Sequence, residues 1–126
     1  MIAIDTSALM AIAIGEPAAD HCMEVLEGAE EVIISAGTVA EALIVAGRRN
    51  LSNEMEMLIE GLGLTVAPVT EAGSRRVAQA YARWGRGAHP AALNFGDCFA
   101  YALAKEYDCP LLYVGQDFER TDLAAA

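Results

Sequence analysis

Four acidic residues stand where a parallel sheet would gather its ligands: Asp5, Glu41, Asp97 and Asp117. Carboxylates that share one edge of a sheet repel one another, and burial raises their pKa values, so the arrangement is unfavourable without a cation. A ligand set made only of oxygen atoms selects Mg²⁺ or Mn²⁺ over zinc. An ion held in this way keeps several waters, and one of them can be deprotonated to attack a phosphodiester. The four acids are therefore candidate metal ligands and catalytic residues.

Each of these acids also has an ordinary structural interpretation. Asp97 lies early in an otherwise apolar predicted helix, where it would balance the positive end of the helix dipole. Asp5 could cap the helix that follows it, and Asp117 could be a turn residue. Glu41 fits a capping box, in which its side chain bonds back to the amide of Thr38. The metal hypothesis therefore depends on the acids arriving at one place.

The other polar side chains near these acids favour an oxygen-only site. Ser7 lies two residues after Asp5. Its hydroxyl could hydrogen-bond a ligand carboxylate or a metal-bound water, or it could simply cap the helix. His21 and His89 have no second histidine or usable cysteine at zinc-ligand spacing. We expect His21 on a helix surface and His89 in a loop.

The composition is that of a globular chain, with 55% hydrophobic and 21% charged residues among 126. At this length we expect a single domain, residues 1–126. No apolar run is long enough to span a membrane and no basic segment opens the chain, so we expect neither a membrane segment nor a secretory signal. Three cysteines without a CxxC pair suit a reducing compartment, which favours the cytoplasm. The net charge of −10 argues against a protein that coats nucleic acid, but not against an enzyme that reaches phosphates through divalent cations.

Short apolar runs alternate along the chain with stretches of helical spacing. The runs predict strands at residues 2–4, 31–35, 64–67 and 111–114, with a last edge strand at 122–124. Helices are predicted at residues 8–14, 18–26, 38–48, 53–62 and 70–84, and over a stretch that is capped by Asn94 and ends near residue 108. Thr6 or Ser7 is expected to cap the first helix. Strands that alternate with helices predict the α/β class, with a parallel sheet and right-handed crossovers.

A parallel sheet binds its ligands beyond the carboxyl ends of its strands. Asp5 ends the first predicted strand, Glu41 lies in the first turns of the helix after the second, and Asp117 follows the fourth by three residues. Asp97 joins them if its helix runs antiparallel to the strands, because the start of that helix then lies at the same edge. The predicted topology therefore brings the acids together.

Three stretches carry a resemblance to a known family: IAIDTSAL at residues 2–9, LNFGDCFAYALA at 93–104 and LYVGQDFERTDL at 112–123. Together with Glu41 they resemble the PIN-domain ribonucleases, and among these the VapC toxins of type II toxin–antitoxin modules. The resemblance runs in order over essentially the whole chain. It implies a three-layer α/β/α fold whose central parallel sheet has four to five strands.

The resemblance also implies an activity and its partners. It implies a Mg²⁺- or Mn²⁺-dependent endoribonuclease in which Asp5, Glu41 and Asp97 are the core acids and Asp117 is a fourth. The family often has an acid or an asparagine before that last aspartate, whereas this chain has Gln116, which adds no charge. The resemblance further implies an RNA substrate, a homodimer and a VapB-like antitoxin that masks the active site. The residues expected to line the antitoxin groove, unless they pack in the core, are Leu9, Met10, Ile12, Ile14, Leu43 and Ile44.

Two other sets of residues have either a site role or a structural one. Arg86 precedes the predicted catalytic helix, where it could pair with an RNA phosphate, although most isolated arginines are simply solvated. The cations that could act behind it are Arg48, Arg49 and Arg120. Thr121 and Asp122 follow a family pattern that we interpret as a structural turn.

Two alternatives use the same acids differently. A metal-dependent phosphatase with Asp5 as its nucleophile would need a second aspartate two residues later, where this chain has Ser7. A catalytically inactive PIN-like binding or scaffold protein would keep the acids as helix caps. Metal binding and RNA cleavage distinguish these alternatives from a nuclease.

Overall fold

The computed structural model describes residues 1–126 as four strands and six helices. The strands are β1 (Ile2–Ile4), β2 (Val32–Ser35), β3 (Thr65–Ala67) and β4 (Leu111–Leu112). The helices are α1 (Thr6–Ile14), α2 (Ala19–Gly28), α3 (Ala36–Arg48), α4 (Ser52–Gly61), α5 (Glu71–Trp84) and α6 (Phe95–Glu106). No helix has the length and hydropathy needed to span a bilayer. All six predicted helices and the first four predicted strands are present, with shifted boundaries.

The strands form one sheet in the order β3-β2-β1-β4, and every pair is parallel, as predicted. Ile2 pairs with Val32 of β2 on one side of β1, and Ile4 pairs with Leu112 of β4 on the other side. The chain therefore builds outward from β1 to β3 and then returns to the opposite side of β1. This reversal opens a crevice at the carboxyl ends of β1 and β4, which is where open α/β sheets bind ligands.

Alternate residues of β1, β2 and β4 pack into two separate cores, which explains why these strands are apolar on both faces. Ala3, Ile33 and Leu111 pack with residues of α5 and α6. The strand residues that pack with α1 to α4 are Ile2, Ile4, Val32, Ile34 and Leu112. The sheet thus lies between two helical layers, and the predicted three-layer α/β/α class is confirmed.

The predicted fifth strand is reduced to a single bridge beside β4. Leu111 N donates to Ala124 O at 3.0 Å, and Ala126 N donates to Leu111 O at 2.9 Å. The prediction of a strand at residues 122–124 was wrong in position, because the side chain of Asp122 is bonded to α6 and the chain reaches the sheet only after it.

The fourth strand is also shorter than predicted. β4 ends at Leu112 rather than at residue 114. Val114 N donates to Ser7 Oγ at 3.0 Å, so this amide bonds the start of α1 instead of a neighbouring strand. The Ser7 hydroxyl therefore bonds the chain just after β4 and joins that segment to the start of α1.

A chain of hydrogen bonds, buried at its Trp84 end, joins α5, α6 and the C-terminal loop. Trp84 Nε1 donates to the Tyr101 hydroxyl at 2.8 Å, and that hydroxyl donates to Asp122 Oδ1 at 2.6 Å. The other oxygen of Asp122 lies 3.2 Å from Lys105 Nζ and 3.8 Å from Arg83 Nη1. Asp122 therefore has a structural role at the C-terminal end of α6, as the turn interpretation expected.

We expect Tyr101→Phe to lower the free energy of unfolding by about 1–3 kcal/mol, because it leaves the buried Trp84 N–H without an acceptor and removes the donor to Asp122 Oδ1. Urea unfolding followed by circular dichroism measures this change. Tyr81→Phe is the matched control, since Tyr81 also lies on this helical layer but is 42% exposed. Equal unfolding free energies for the two variants would contradict the stabilising role of this hydrogen-bond chain.

Candidate active site

Asp5 joins the end of β1 to the start of α1. Its backbone is extended, and its Oδ2 accepts hydrogen bonds from the Ser7 amide at 3.0 Å and the Ser7 hydroxyl at 2.7 Å. Asp5 is therefore the N-cap of α1, and the prediction that Thr6 or Ser7 caps this helix was wrong. An ionised carboxylate is a stronger acceptor than a hydroxyl, so it takes the bond from the helix amide. The expected hydrogen bond from Ser7 to a candidate ligand is present.

The second oxygen of Asp5 has no partner. Oδ1 is buried and makes no hydrogen bond, and the residue as a whole is 3% exposed. Burial raises the pKa of Asp5 to about 6, and the nearby charge of Glu41 acts in the same direction, whereas the bonds from Ser7 oppose it. A buried polar atom without a partner is costly, so Oδ1 is the atom of this crevice that most needs a ligand.

Glu41 reaches the same crevice from the second turn of α3. This helix begins at Ala36, two residues earlier than predicted, so Thr38 lies inside it and the capping-box interpretation of Glu41 was wrong. Glu41 Oε1 instead accepts a hydrogen bond from Thr6 Oγ1 at 2.5 Å. Its Oε2 lies directly against Gly96, in the space that a Cβ atom would fill there.

Asp97 lies in the first turn of α6, whose start faces the same edge of the sheet as predicted. Asn94 is the N-cap: its Oδ1 accepts from Asp97 N at 2.8 Å, and Asp97 Oδ2 accepts from Asn94 N at 3.0 Å. These reciprocal bonds form a capping box, which fixes the Asp97 carboxylate at the start of the helix.

The environment of Asp97 favours the protonated carboxyl group. The residue is 7% exposed, and this burial raises its pKa to about 7. The negative charges of Asp5, Asp117 and Glu41 raise the pKa as well, while the bond from the Asn94 amide lowers it. The helix dipole, which by itself could explain an acid at this position, is therefore outweighed by burial and by like charges.

Asp117 approaches from the loop after β4 and is exposed. Its charge acts on Asp97, which places it at the rim of the crevice. It also borders a surface hollow of about 350 Å³ that contains Ala92 and Arg120. Asp117 therefore differs from the other acids, because its carboxylate is solvated.

Contacts between neighbours link three of the acids in a continuous path. Thr6, next to Asp5, donates to Glu41, and Glu41 lies against Gly96, next to Asp97. No three His, Cys, Asp or Glu side chains are yet arranged so that they could hold a metal ion. A bound ion would therefore have to bring the carboxylates closer together, against their mutual repulsion. The four-acid metal site stays a prediction.

Thr6 and Gly96 are parts of this crevice that were missed from the sequence. Thr6 was considered only as a cap, although it lies between two residues with expected site roles. Gly96 sits directly before Asp97 in a helix, where glycine is unfavourable without a packing reason. That misplaced glycine was the signal that could have identified a close approach at this point.

The histidines occupy the places predicted for them. His21 is exposed on α2. His89 lies in the loop before α6, where its Nδ1 accepts from Ala91 N at 3.0 Å and its ring meets the edge of Trp84, with centroids 4.6 Å apart. His89 therefore has a structural bond within its own loop.

We expect the metal-free protein to lose stability as the pH rises between about 4 and 7. In this range the folded state holds protons on Asp5 and Asp97, with pKa values of about 6 and about 7, that an unfolded aspartate has already released. Asp97→Asn should flatten the fall, because the amide does not titrate. Urea unfolding in EDTA at a series of pH values measures it.

Asp108→Asn is the control for this measurement, since Asp108 is an exposed aspartate at the far end of α6. It should keep the wild-type pH dependence. A slope for Asp97→Asn as steep as that of wild type would show that the Asp97 pKa is not raised.

Comparisons with known proteins identify the family and the fold. The PIN domain family model matches residues 2–123. Ribonuclease VapC36 of Mycobacterium tuberculosis is 44% identical over 124 residues, covering 95% of this chain and 89% of that protein. The crystal structure of VapC20 from Mycobacterium tuberculosis, described as a sarcin–ricin loop cleaving toxin, has a TM-score of 0.81 at 15% identity, covering 100% of this chain and 98% of that one. A chain of a toxin–antitoxin complex from Klebsiella pneumoniae has a TM-score of 0.74 at 16% identity, covering 100% and 97%.

The structural likenesses, at this low identity, establish the fold. The family match and the identity to VapC36 extend over nearly the whole chain and establish the relationship. The chain therefore belongs to the PIN-domain family and, within it, to the VapC ribonucleases.

Proposed function

We propose that this chain is a Mg²⁺- or Mn²⁺-dependent endoribonuclease and the toxin of a VapBC-type toxin–antitoxin module. The observation that carries the proposal is the buried Asp5 Oδ1, which has no hydrogen-bond partner and lies near the charges of Glu41 and Asp97. Relationship to proteins named VapC ribonucleases supports RNA as the substrate.

The residues that would hold the ion are Asp5, Glu41 and Asp97, with Asp117 as a fourth acid from the exposed loop. The donor set fits Mg²⁺ or Mn²⁺ because it contains only carboxylate oxygens. It also contains an unpartnered buried oxygen, and two of its members have pKa values raised by burial and by like charges. When bound, the ion would hold the scissile phosphate and lower the pKa of a bound water.

Other residues of the chain orient these carboxylates. Ser7 gives both its amide and its hydroxyl to Asp5 Oδ2, which leaves Oδ1 free. The Asn94 amide fixes Asp97 Oδ2. Near pH 7 the Asp97 carboxyl holds a proton for part of the time, and it must release that proton to act as a ligand. Asp5 and Asp97 are therefore each oriented by local hydrogen bonds, and a bound cation would have to bring the carboxylates closer together.

The cationic side chains divide into two sets, according to whether they form an ion pair with an acid. The set without ion pairs is the one that we propose for RNA binding. The set that forms ion pairs with neighbouring acids is Arg75, Arg76, Arg83 and Lys105. The set that forms no ion pair is Arg48, Arg49, Arg86 and Arg120. Arg48 lines a groove with Glu41, and Arg120 lines the hollow with Asp117. We propose that these four guanidinium groups, none of which is paired with a carboxylate, contact the phosphates of a single-stranded RNA segment.

A VapB-like antitoxin is the proposed protein partner. The related fold from Klebsiella pneumoniae is part of a toxin–antitoxin complex, which supports such a partner. Leu9 and Met10 are buried in the core, which is the alternative expected for part of the candidate groove residues. Ile14 and Ile44 are exposed, at 37% and 58%, and remain candidates. Ile44 belongs to an apolar groove of about 360 Å³ beside Glu41, where a bound segment would also block the acids.

The proposal also includes an oligomeric state and a cellular location. A homodimer is the state that the family implies. A cytoplasmic location is supported by the three cysteines, which are all free.

We expect the wild-type protein to cleave single-stranded RNA with Mg²⁺ or Mn²⁺ and to lose this activity in EDTA. Asp97→Asn should reduce cleavage by about 100-fold or more, because an amide is a poorer ligand for a hard cation. It should also remove the rise in melting temperature that Mn²⁺ gives. The α6 cap should survive, since the new amide oxygen can still accept the Asn94 bond.

Gel assays on RNA oligonucleotides and thermal unfolding with Mn²⁺ test this pair of effects, with Asp108→Asn as the control. Cleavage that persists in EDTA, or in Asp97→Asn at the wild-type rate, would contradict the proposed mechanism. A wild-type protein that neither cleaves RNA nor responds to metal would favour an inactive binding or scaffold protein.

We expect Arg86→Ala to weaken RNA binding and to reduce the slope of log K against log salt concentration by about 0.7, the share of one phosphate contact to a single strand. Fluorescence anisotropy with an RNA that cannot be cleaved measures both quantities. Arg75→Ala is the control, because Arg75 is exposed on α5 and is paired with Glu71 at 3.3 Å. The same salt slope in both variants would remove Arg86 from the RNA path.

A further inference from the structure

We propose that Gly96 and Thr6 are positioning residues that place the Glu41 carboxylate within reach of Asp5 and Asp97. The inference rests on the proposed metal-dependent function and adds two residues that carry no charge. Neither residue would touch the substrate or the ion. Both residues would act by fixing the position of the Glu41 side chain.

Gly96 acts by leaving space. A Cβ atom at this position would overlap the carboxylate of Glu41, and both carboxylate oxygens lie within van der Waals reach of it. The backbone of Gly96 is helical and has no positive φ, so the conformation alone does not require glycine. An alanine would suit the first turn of α6 better by helix propensity. The close approach of Glu41 is therefore the feature that explains glycine here.

Thr6 acts by holding the same carboxylate from the other side. Its Oγ1 donates to Glu41 Oε1 at 2.5 Å, and Thr6 itself is 7% exposed at the start of α1. One oxygen of Glu41 is thus fixed, while Oε2 faces the start of α6 beside Asp97. The Glu41 side chain has many rotamers. Without these two contacts it would leave this one conformation, because sampling the others raises its conformational entropy.

A second glycine shows that α3 and α6 are close together at more than one point near their starts. Gly37 of α3 lies against the ring of Phe99, with its Cβ position 2.6 Å from Cγ of that ring. The two sites differ in what an alanine would displace. At Gly37 it would displace a partly buried ring of the core, whereas at Gly96 it would displace only the flexible end of Glu41. Gly96→Ala therefore separates the position of Glu41 from the packing of the fold.

The test compares stability with Mn²⁺ affinity. We expect metal-free Gly96→Ala to unfold at or above the wild-type temperature, while its Mn²⁺ affinity, measured by calorimetry, falls about 10- to 100-fold. Gly61→Ala is the matched control, since Gly61 ends α4 and a Cβ there meets nothing within 4 Å. Thr6→Val should weaken Mn²⁺ binding in the same direction, and Thr6→Ser should restore it by keeping the hydroxyl.

A double-mutant cycle with Glu41→Ala decides the mechanism. If Gly96 acts through Glu41, Gly96→Ala should cause no further loss of Mn²⁺ affinity when the carboxylate is already absent. An equal loss in both backgrounds, or wild-type affinity in both Gly96→Ala and Thr6→Val, would overturn the inference while leaving the metal site intact. A wild-type protein that binds no Mn²⁺ would instead overturn the proposed function, and this inference with it.

Discussion

Buried like charge is the constraint on which the rest of this structure depends. Asp5 and Asp97 are almost completely buried, Glu41 lies between them, and no lysine or arginine forms an ion pair with any of the three. Burying carboxylates in this way costs free energy, which is expressed in the raised pKa values of Asp5 and Asp97. A divalent cation bound by these carboxylates, as proposed above, would offset that cost.

The strand order determines where the acidic side chains come together. The return of β4 to the free side of β1 opens the crevice, and Ser7 joins both strands to it by bonding Asp5 and the Val114 amide. The close approach of α3 to α6 completes it from the other side, because Gly96 admits the carboxylate of Glu41. Local bonds and long-range packing therefore act on the same few atoms, which is why small side chains matter as much as the acids.

The sequence predicted the parallel sheet, the acids at its carboxyl edge and the Asn94 cap, because these depend on apolar periodicity, strand polarity and local capping chemistry. It did not predict the bond from Thr6 to Glu41, since the two residues are 35 positions apart and only tertiary packing brings them together. The start of α3 was misplaced because Ser35 was assigned only to the end of the second strand, although it also caps the helix. Raised pKa values were expected for the acids as a group, but how deeply each one is buried, and so the pKa of about 7 at Asp97, is not specified by local sequence.

The most direct measurement of the central claim is a crystal structure of the wild-type protein soaked in Mn²⁺, with data collected at a wavelength where manganese scatters anomalously. A metal-dependent site predicts an anomalous peak in the crevice, bonded to Asp5 Oδ1 and to carboxylate oxygens of Glu41 and Asp97. Manganese bound elsewhere, with Asp5 Oδ1 still unpartnered and the carboxylates unmoved, would contradict the account.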